Sequence, residues 1–125
     1  MNIQSDLKYT KSHEWVKDLG GNCALLGLDD YAQDQLGELV FINLPEVGDE
    51  VTAGEAFGDV ESVKAVSDVF SGVTGKVAEA NAELADKPQK VNEDPFGAWL
   101  IKVEDITAYG DLMDAKEYEA YCASL

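Results

Sequence analysis

Among the residues that could do chemistry, one lysine stands apart. Between Lys17 and Lys64 the sequence has no basic residue while eleven acids accumulate, and the next cation after Lys64 is Lys76. Lys64 lies in Glu61-Ser62-Val63-Lys64-Ala65-Val66-Ser67-Asp68, and the flanking segments Gly54 to Ser62 and Ala65 to Ser71 both favour strand. The chain must turn at Val63-Lys64, where two-residue hairpins prefer Asn-Gly or Asp-Gly. A type I turn accepts valine and lysine because it needs no positive φ. Departures from local turn chemistry mark functional positions. A lysine held out on a rigid hairpin suits acylation by another protein, which converts its ammonium to a neutral amide. On spacing alone, a solubilising turn lysine is the favoured reading.

Other constellations fall short. His13 is the only histidine, and its neighbour Ser12 would point to the opposite face of a strand, so the two cannot pair as base and nucleophile. A structural role is expected for His13. Cys23 and Cys122 belong to no Cys-x-x-Cys pair or zinc-type cluster and read as buried small hydrophobes in a reducing compartment. No glutamate stands at the twelfth position after Asp30 or Asn92, as a calcium loop requires. Neither a Gly-x-x-x-x-Gly-Lys phosphate loop nor a Gly-x-Gly-x-x-Gly fingerprint is present. A self-contained enzyme is not expected, nor a bound metal.

Composition narrows the partners. The 125 residues carry 25 acids against 9 basic residues, a formal net charge of −16, which repels phosphate backbones and anionic membrane faces. All nine cations are lysines, so no guanidinium fork is available to hold an anionic substrate. With 46% apolar residues the chain builds a core, and its apolar runs are far too short to span a bilayer. The length fits one domain. Met1 with no basic-then-apolar leader favours bacterial cytoplasm, the mitochondrial matrix being expected only if a transit segment was removed.

The elements that must position Lys64 are mostly strands. Gly20-Gly21-Asn22 separates strands over Glu14 to Lys17 and Cys23 to Leu28. Asp29 to Gly37 carries acidic caps at one end, Gln33 three residues after Asp30, and a stop glycine, which predicts one short helix. Leu39 to Ile42 reads as a buried strand, Pro45 and Gly48-Asp49 as a turn before Glu50-Val51, and Gly54 to Val77 as strands separated by brief turns. Asn81 to Pro95 is polar with two prolines and reads as a surface connection, followed by a strand over Ala98 to Val103. Asp114 and Glu117 form a capping box for a C-terminal helix whose Ala115, Tyr118, Tyr121, Cys122 and Leu125 share one face. Val47 to Val51 and Val73 to Val77 form a weak half-repeat, each a turn flanked by valines.

Five blocks stand out together: Tyr9-Thr10-Lys11-Ser12-His13-Glu14-Trp15-Val16, Tyr31-Ala32-Gln33-Asp34-Gln35-Leu36-Gly37, Leu44-Pro45-Glu46-Val47-Gly48-Asp49, Val60 to Asp68, and Val91-Asn92-Glu93-Asp94-Pro95-Phe96-Gly97. Through these blocks the chain resembles, over nearly its whole length, the H-protein family of the glycine cleavage system. Gly48, Gly54 and Gly75 stand at the distances from Lys64 at which lipoyl domains place glycines.

The resemblance implies a mainly β fold: a flattened β-barrel-sandwich hybrid with a short helix in the N-terminal third and a C-terminal helix. It implies one lipoyl-carrier domain over 1–125, with a hairpin core over 47–80 and a helical segment over 111–124. Lipoic acid would be amide-linked to Lys64 within the motif formed by Glu61, Ser62, Val63 and Ala65. The implied role is a shuttle. A pyridoxal-phosphate glycine decarboxylase loads the arm with an aminomethyl group, a tetrahydrofolate-dependent aminomethyltransferase unloads it, and the FAD-containing dihydrolipoamide dehydrogenase reoxidises it. A lipoyl ligase or transferase attaches the arm. The carrier itself catalyses none of these steps and acts as a monomer, with no nucleic acid or membrane partner. Ser12, Glu14 and Asp68 match the positions expected to line a cleft that shields the cationic cargo, and two carboxylates facing one ammonium make electrostatic sense.

Rival readings are an H-like carrier serving lipoate relay or sulfur metabolism, and an unmodified acidic interaction domain. A biotinyl carrier is disfavoured because Val63 and Ala65 stand where that family places methionines. Departures from the usual pattern are Leu28-Asp29 before the first helix, Ser71-Gly72 where Ser-Pro is common, and a stretch around Gly97-Ala98-Trp99 one residue short. Gly72 is expected to loosen the strand exit slightly.

Overall fold

The computed structural model describes residues 1–125. Strands β1 (Lys8–Tyr9), β2 (Glu14–Gly20) and β3 (Cys23–Leu28) lead into helix α1 (Asp30–Leu36). Then come β4 (Leu39–Asn43), β5 (Glu50–Val51), β6 (Ala56–Ser62), β7 (Val66–Phe70) and β8 (Val73–Ala80). Helices α2 (Glu83–Asp86) and α3 (Lys90–Glu93), strand β9 (Ile101–Tyr109) and helix α4 (Ala115–Ala123) complete the chain. Six strands form one antiparallel sheet in the order β1-β2-β3-β9-β8-β5, and three form another in the order β4-β6-β7. The expected mainly β sandwich is present, as two sheets and not a closed barrel.

The core follows from strand alternation. Val16, Leu26, Val51, Val73, Val77, Ile101 and Val103 of the large sheet pack together, while Leu39, Ile42, Val60 and Val69 of the small sheet pack with Leu28, Leu84, Val91 and Leu100. Leu44 and Phe57 pack against both groups. The half-repeat pairs with itself: Glu50 lies opposite Lys76 and Val51 opposite Gly75. The Gly48 N–H donates to the Val77 carbonyl and the Val77 N–H to the Asp49 carbonyl, each at 2.8 Å.

Several expectations need correction. Asp29 alone caps α1, its carboxylate accepting the Ala32 N–H at 2.9 Å, while Gln33 donates to Asp30 and not back to the cap backbone. In β4 only Leu39 and Ile42 are buried, because a bulge between Leu39 and Phe41 turns Val40 and Phe41 outward. The stretch from Asn81 to Pro95 is no plain surface connection. It holds α2 and α3, each of which sinks one apolar side chain, Leu84 or Val91, fully into the core.

The next strand begins at Ile101, after Ala98 and Leu100 are already buried, and runs past charged residues to Tyr109 through register shifts against β8 and a positive φ at Asp105. Both halves of the α4 capping box form, and Tyr118 and Cys122 are buried. Leu125 is exposed because the helix ends at Ala123 and leaves it beyond the apolar face. Cys23 is half-buried and, like Cys122, a free thiol. Ser12 and His13 occupy a turn before β2 instead of a strand, with His13 at φ +72°. Gly72 is packed tightly: a Cβ there would come within 2.9 Å of Val16 Cγ2 and 3.1 Å of Leu112 Cδ2.

Candidate functional site

The β6–β7 hairpin pairs in register from Ala56 opposite Phe70 to Glu61 opposite Val66, with a bulge near Gly58. Its turn closes with the Ser62 N–H donating to the Ala65 carbonyl at 2.8 Å. Ser62 Oγ then accepts the N–H groups of Lys64 at 3.1 Å and Ala65 at 3.0 Å, and its own O–H points at the Ala65 carbonyl at 3.3 Å. A side-chain oxygen thus substitutes for the glycine chemistry that the turn lacks. Neither Val63 nor Lys64 needs a positive φ, as a type I turn allows. The Val63 N–H donates to the Glu38 carbonyl at 3.2 Å, which fastens the turn to the residue before β4.

Lys64 is exposed, and the one ion pair in the chain, Lys90 with Glu83 at 2.5 Å, is elsewhere. Its stem crosses Gly37, where an added Cβ would lie 3.3 Å from Lys64 Cε. Gly37 also holds φ +81° as it ends α1, so a side chain there would be strained as well as in the lysine's path. Asn92 supports this platform. Its Oδ1 accepts the Leu39 N–H at 2.9 Å, and its Nδ2 donates to the Gly37 carbonyl at 2.8 Å and to Gln33 Oε1 at 3.2 Å. The sequence reading placed Asn92 in a surface connection and missed this role. Its only signal was membership of the block from Val91 to Gly97.

Ser12 and Glu14 come together at the far end of β7. Glu14 is 1% exposed, and Thr10 Oγ1 and Ser12 Oγ both donate to its Oε1, the latter at 2.5 Å. Its Oε2 accepts the Phe70 N–H at 3.2 Å. Burial pushes the Glu14 carboxyl above its ordinary range, against the pull of these hydrogen bonds. Beside this cluster opens a cleft of about 620 Å³, with Thr10, Ser12, Gly54, Phe70, Ser71 and Gly110 among its lining residues. Asp68 lies apart, exposed midway along β7 and opposite Asp59, and forms no hydrogen bond with the cluster.

His13 joins a different network. Tyr118 Oη donates to Asp29 Oδ2 and lies 2.7 Å from His13 Nδ1. A phenol has one proton, so with that proton on Asp29 the imidazole must donate through Nδ1–H. Tyr118 stacks on Tyr9 with ring centres 4.4 Å apart, and His13 lies 4.2 Å from the Tyr31 ring. Burial lowers the His13 pKa and raises that of Asp29 to about 7. These contacts tie α4 and the start of α1 to the turn that carries Ser12.

Comparison with known proteins places this geometry. The family model described as glycine cleavage H-protein matches residues 7–125. The chain is 53% identical over 121 residues to the glycine cleavage system H protein of Lachnoclostridium phytofermentans, covering 97% of this chain and 95% of that one. It is 54% identical over 122 residues to the H protein of Treponema denticola, covering 98% and 99%. Among solved structures, the H protein of Mycobacterium marinum superposes with a TM-score of 0.92 at 39% identity, covering 97% of this chain and 99% of that one. The chain belongs to the glycine cleavage H-protein family.

Proposed function

We propose that Lys64 carries a lipoyl group in amide linkage and that the chain, as one unit over 1–125, is the mobile carrier of glycine cleavage. Family membership makes it a carrier and not a catalyst. One observation carries the assignment of Lys64: an exposed lysine without an ion pair, presented by a turn that its own serine locks. When bound there, the lipoyl disulfide supplies the sulfur that takes up an aminomethyl group and later gives it up.

The chain's own residues hold, present and shelter. Ser62, Val63 and Ala65 fix the direction of Lys64, and Glu61 stands exposed beside them. Strand β7 forms a track of roughly 17 Å from Lys64 towards Glu14, with Asp68 midway. Ser12 and Glu14 would meet a cationic cargo at the end of that track. The enzymes served are the pyridoxal-phosphate glycine decarboxylase, the tetrahydrofolate-dependent aminomethyltransferase, the FAD-containing dihydrolipoamide dehydrogenase and a lipoyl ligase or transferase, in the cytoplasm.

The test is intact mass after coexpression with a lipoyl ligase, followed by bicarbonate exchange into glycine with purified glycine decarboxylase. The native chain gains one lipoyl mass and supports exchange. Lys64→Arg keeps the charge but should do neither; a lipoylated arginine variant, or exchange by it, rejects the assignment.

A further inference from the structure

The bulge in β4 brings out side chains that regular alternation would have buried. Leu39 lies opposite Ser62 and Phe41 opposite Glu61, so Val40 is the extra residue. Val40 is 53% and Phe41 52% exposed. Phe41, Glu61 and Val66 lie directly opposite one another across β4, β6 and β7, and residues in register share a face. Ile42 and Val60, in the adjacent row, point into the core, while Asn43, Asp59 and Asp68 form the next row outward. Val63 and Val66 bracket Lys64 at 67% and 69% exposure. The outer face of the small sheet therefore presents a strip of apolar side chains beside Lys64, with Glu61 between Phe41 and Val66 and Glu38, Asp59 and Asp68 nearby. No other lysine lies on β4, β6 or β7. Single exposed apolar residues need no explanation, but a group gathered around one nucleophile does.

We propose that Val40, Phe41, Val63 and Val66, with Glu61, form the docking face for the enzyme that acylates Lys64. That partner would offer an apolar recess rimmed by basic side chains. The inference rests on Lys64 being the attachment point. Attachment requires neutral Nζ to attack the carbonyl carbon of an activated acyl group. The amide C–N bond forms, the bond from that carbonyl to its leaving group breaks, and the amine proton passes to solvent. Nζ itself must reach bonding distance within the partner, and a stem of four methylenes then presses the turn and its neighbouring row onto the partner's surface. Later enzymes meet the far end of a longer arm and need not cover the strip. Apolar burial supplies affinity and the acids supply steering.

The test uses the full, unmodified chain with a purified lipoyl ligase, lipoate and ATP, following mass gain with time. Phe41→Thr and Val66→Thr each leave a β-branched strand former at the position. Each should lower kcat/KM severalfold and both together at least tenfold, mainly through KM, with unfolding midpoints unchanged. Val47→Thr, at 67% exposure but in the loop between β4 and β5, beyond the end of β4 remote from the turn, should change nothing. Binding of a Lys64→Ala chain to the ligase should weaken in parallel when the two threonines are added. A double variant that is acylated and bound as the native chain overturns the proposal. So does one slowed only in bicarbonate exchange, which would assign the face to the decarboxylase. Mass gain by Lys64→Arg instead strikes the attachment reading, and the docking face with it.

Discussion

Asp29 is 1% exposed where α1 begins, and burial lifts its carboxyl from 3.8 to about 7. The native state holds this proton more tightly than the unfolded chain does. Its stabilising contribution is therefore complete below pH 3.8 and is lost as pH rises through about 7. The loss amounts to up to roughly 4 kcal/mol. Asparagine caps a helix about as well as aspartate, so Asp29→Asn should flatten urea-unfolding stability between these pH values while α1 stays folded. Glu14, also raised by burial, adds slope of the same sign. Exchanging Glu14 and Asp68 for their amides should hasten loss of the aminomethyl cargo severalfold; unchanged lifetimes would remove both from the shelter. The isolation of Lys64 among acids was legible because a solitary cation needs no knowledge of the fold. The burial of Glu14 was not, since it depends on a turn and a strand end more than fifty residues apart.

The strands and both longer helices were legible where alternation and capping signals are strong, as in Cys23 to Leu28 and at Asp114 with Glu117. Three other features escaped for physical reasons. The bulge at Val40 leaves no mark in an apolar run, and α2 and α3 each bury a single side chain, too few for a periodic pattern. Asn92 makes α3 matter to the site, because it fills three hydrogen-bonding demands around Gly37 and Leu39. Asn92→Ala leaves the Leu39 N–H unpaired and should cost about 1–3 kcal/mol, with faster amide exchange in the Val63 turn. Gly75 tests the large sheet. A Cβ there would approach the Glu104 carbonyl oxygen at 2.6 Å and Val103 Cγ1 at 2.7 Å, both across the β8–β9 pair. Gly75→Ala should therefore destabilise by about 1–3 kcal/mol, read as a lowered Tm, without touching Lys64.

At the scale of the molecule, 25 acids face nine lysines, of which one is ion-paired, so the negative charge is left almost wholly uncompensated. Such a field speeds encounters with basic active-site rims and is screened by salt. Transfer measured as kcat/KM should fall roughly tenfold between about 20 and 200 mM salt; insensitivity would mean that charge does not guide docking. Charge of this kind was fully legible in the sequence. Its arrangement on one face of the small sheet was not. Strand β7 lies at the edge of that sheet, the position from which β proteins polymerise. Here the Phe70 N–H is already taken by Glu14, and Asp68 projects from the same short strand. In the proposed carrier this hairpin would enter other enzymes without mating with its own copies, and concentrated solutions should stay monodisperse where a bare edge would seed fibrils.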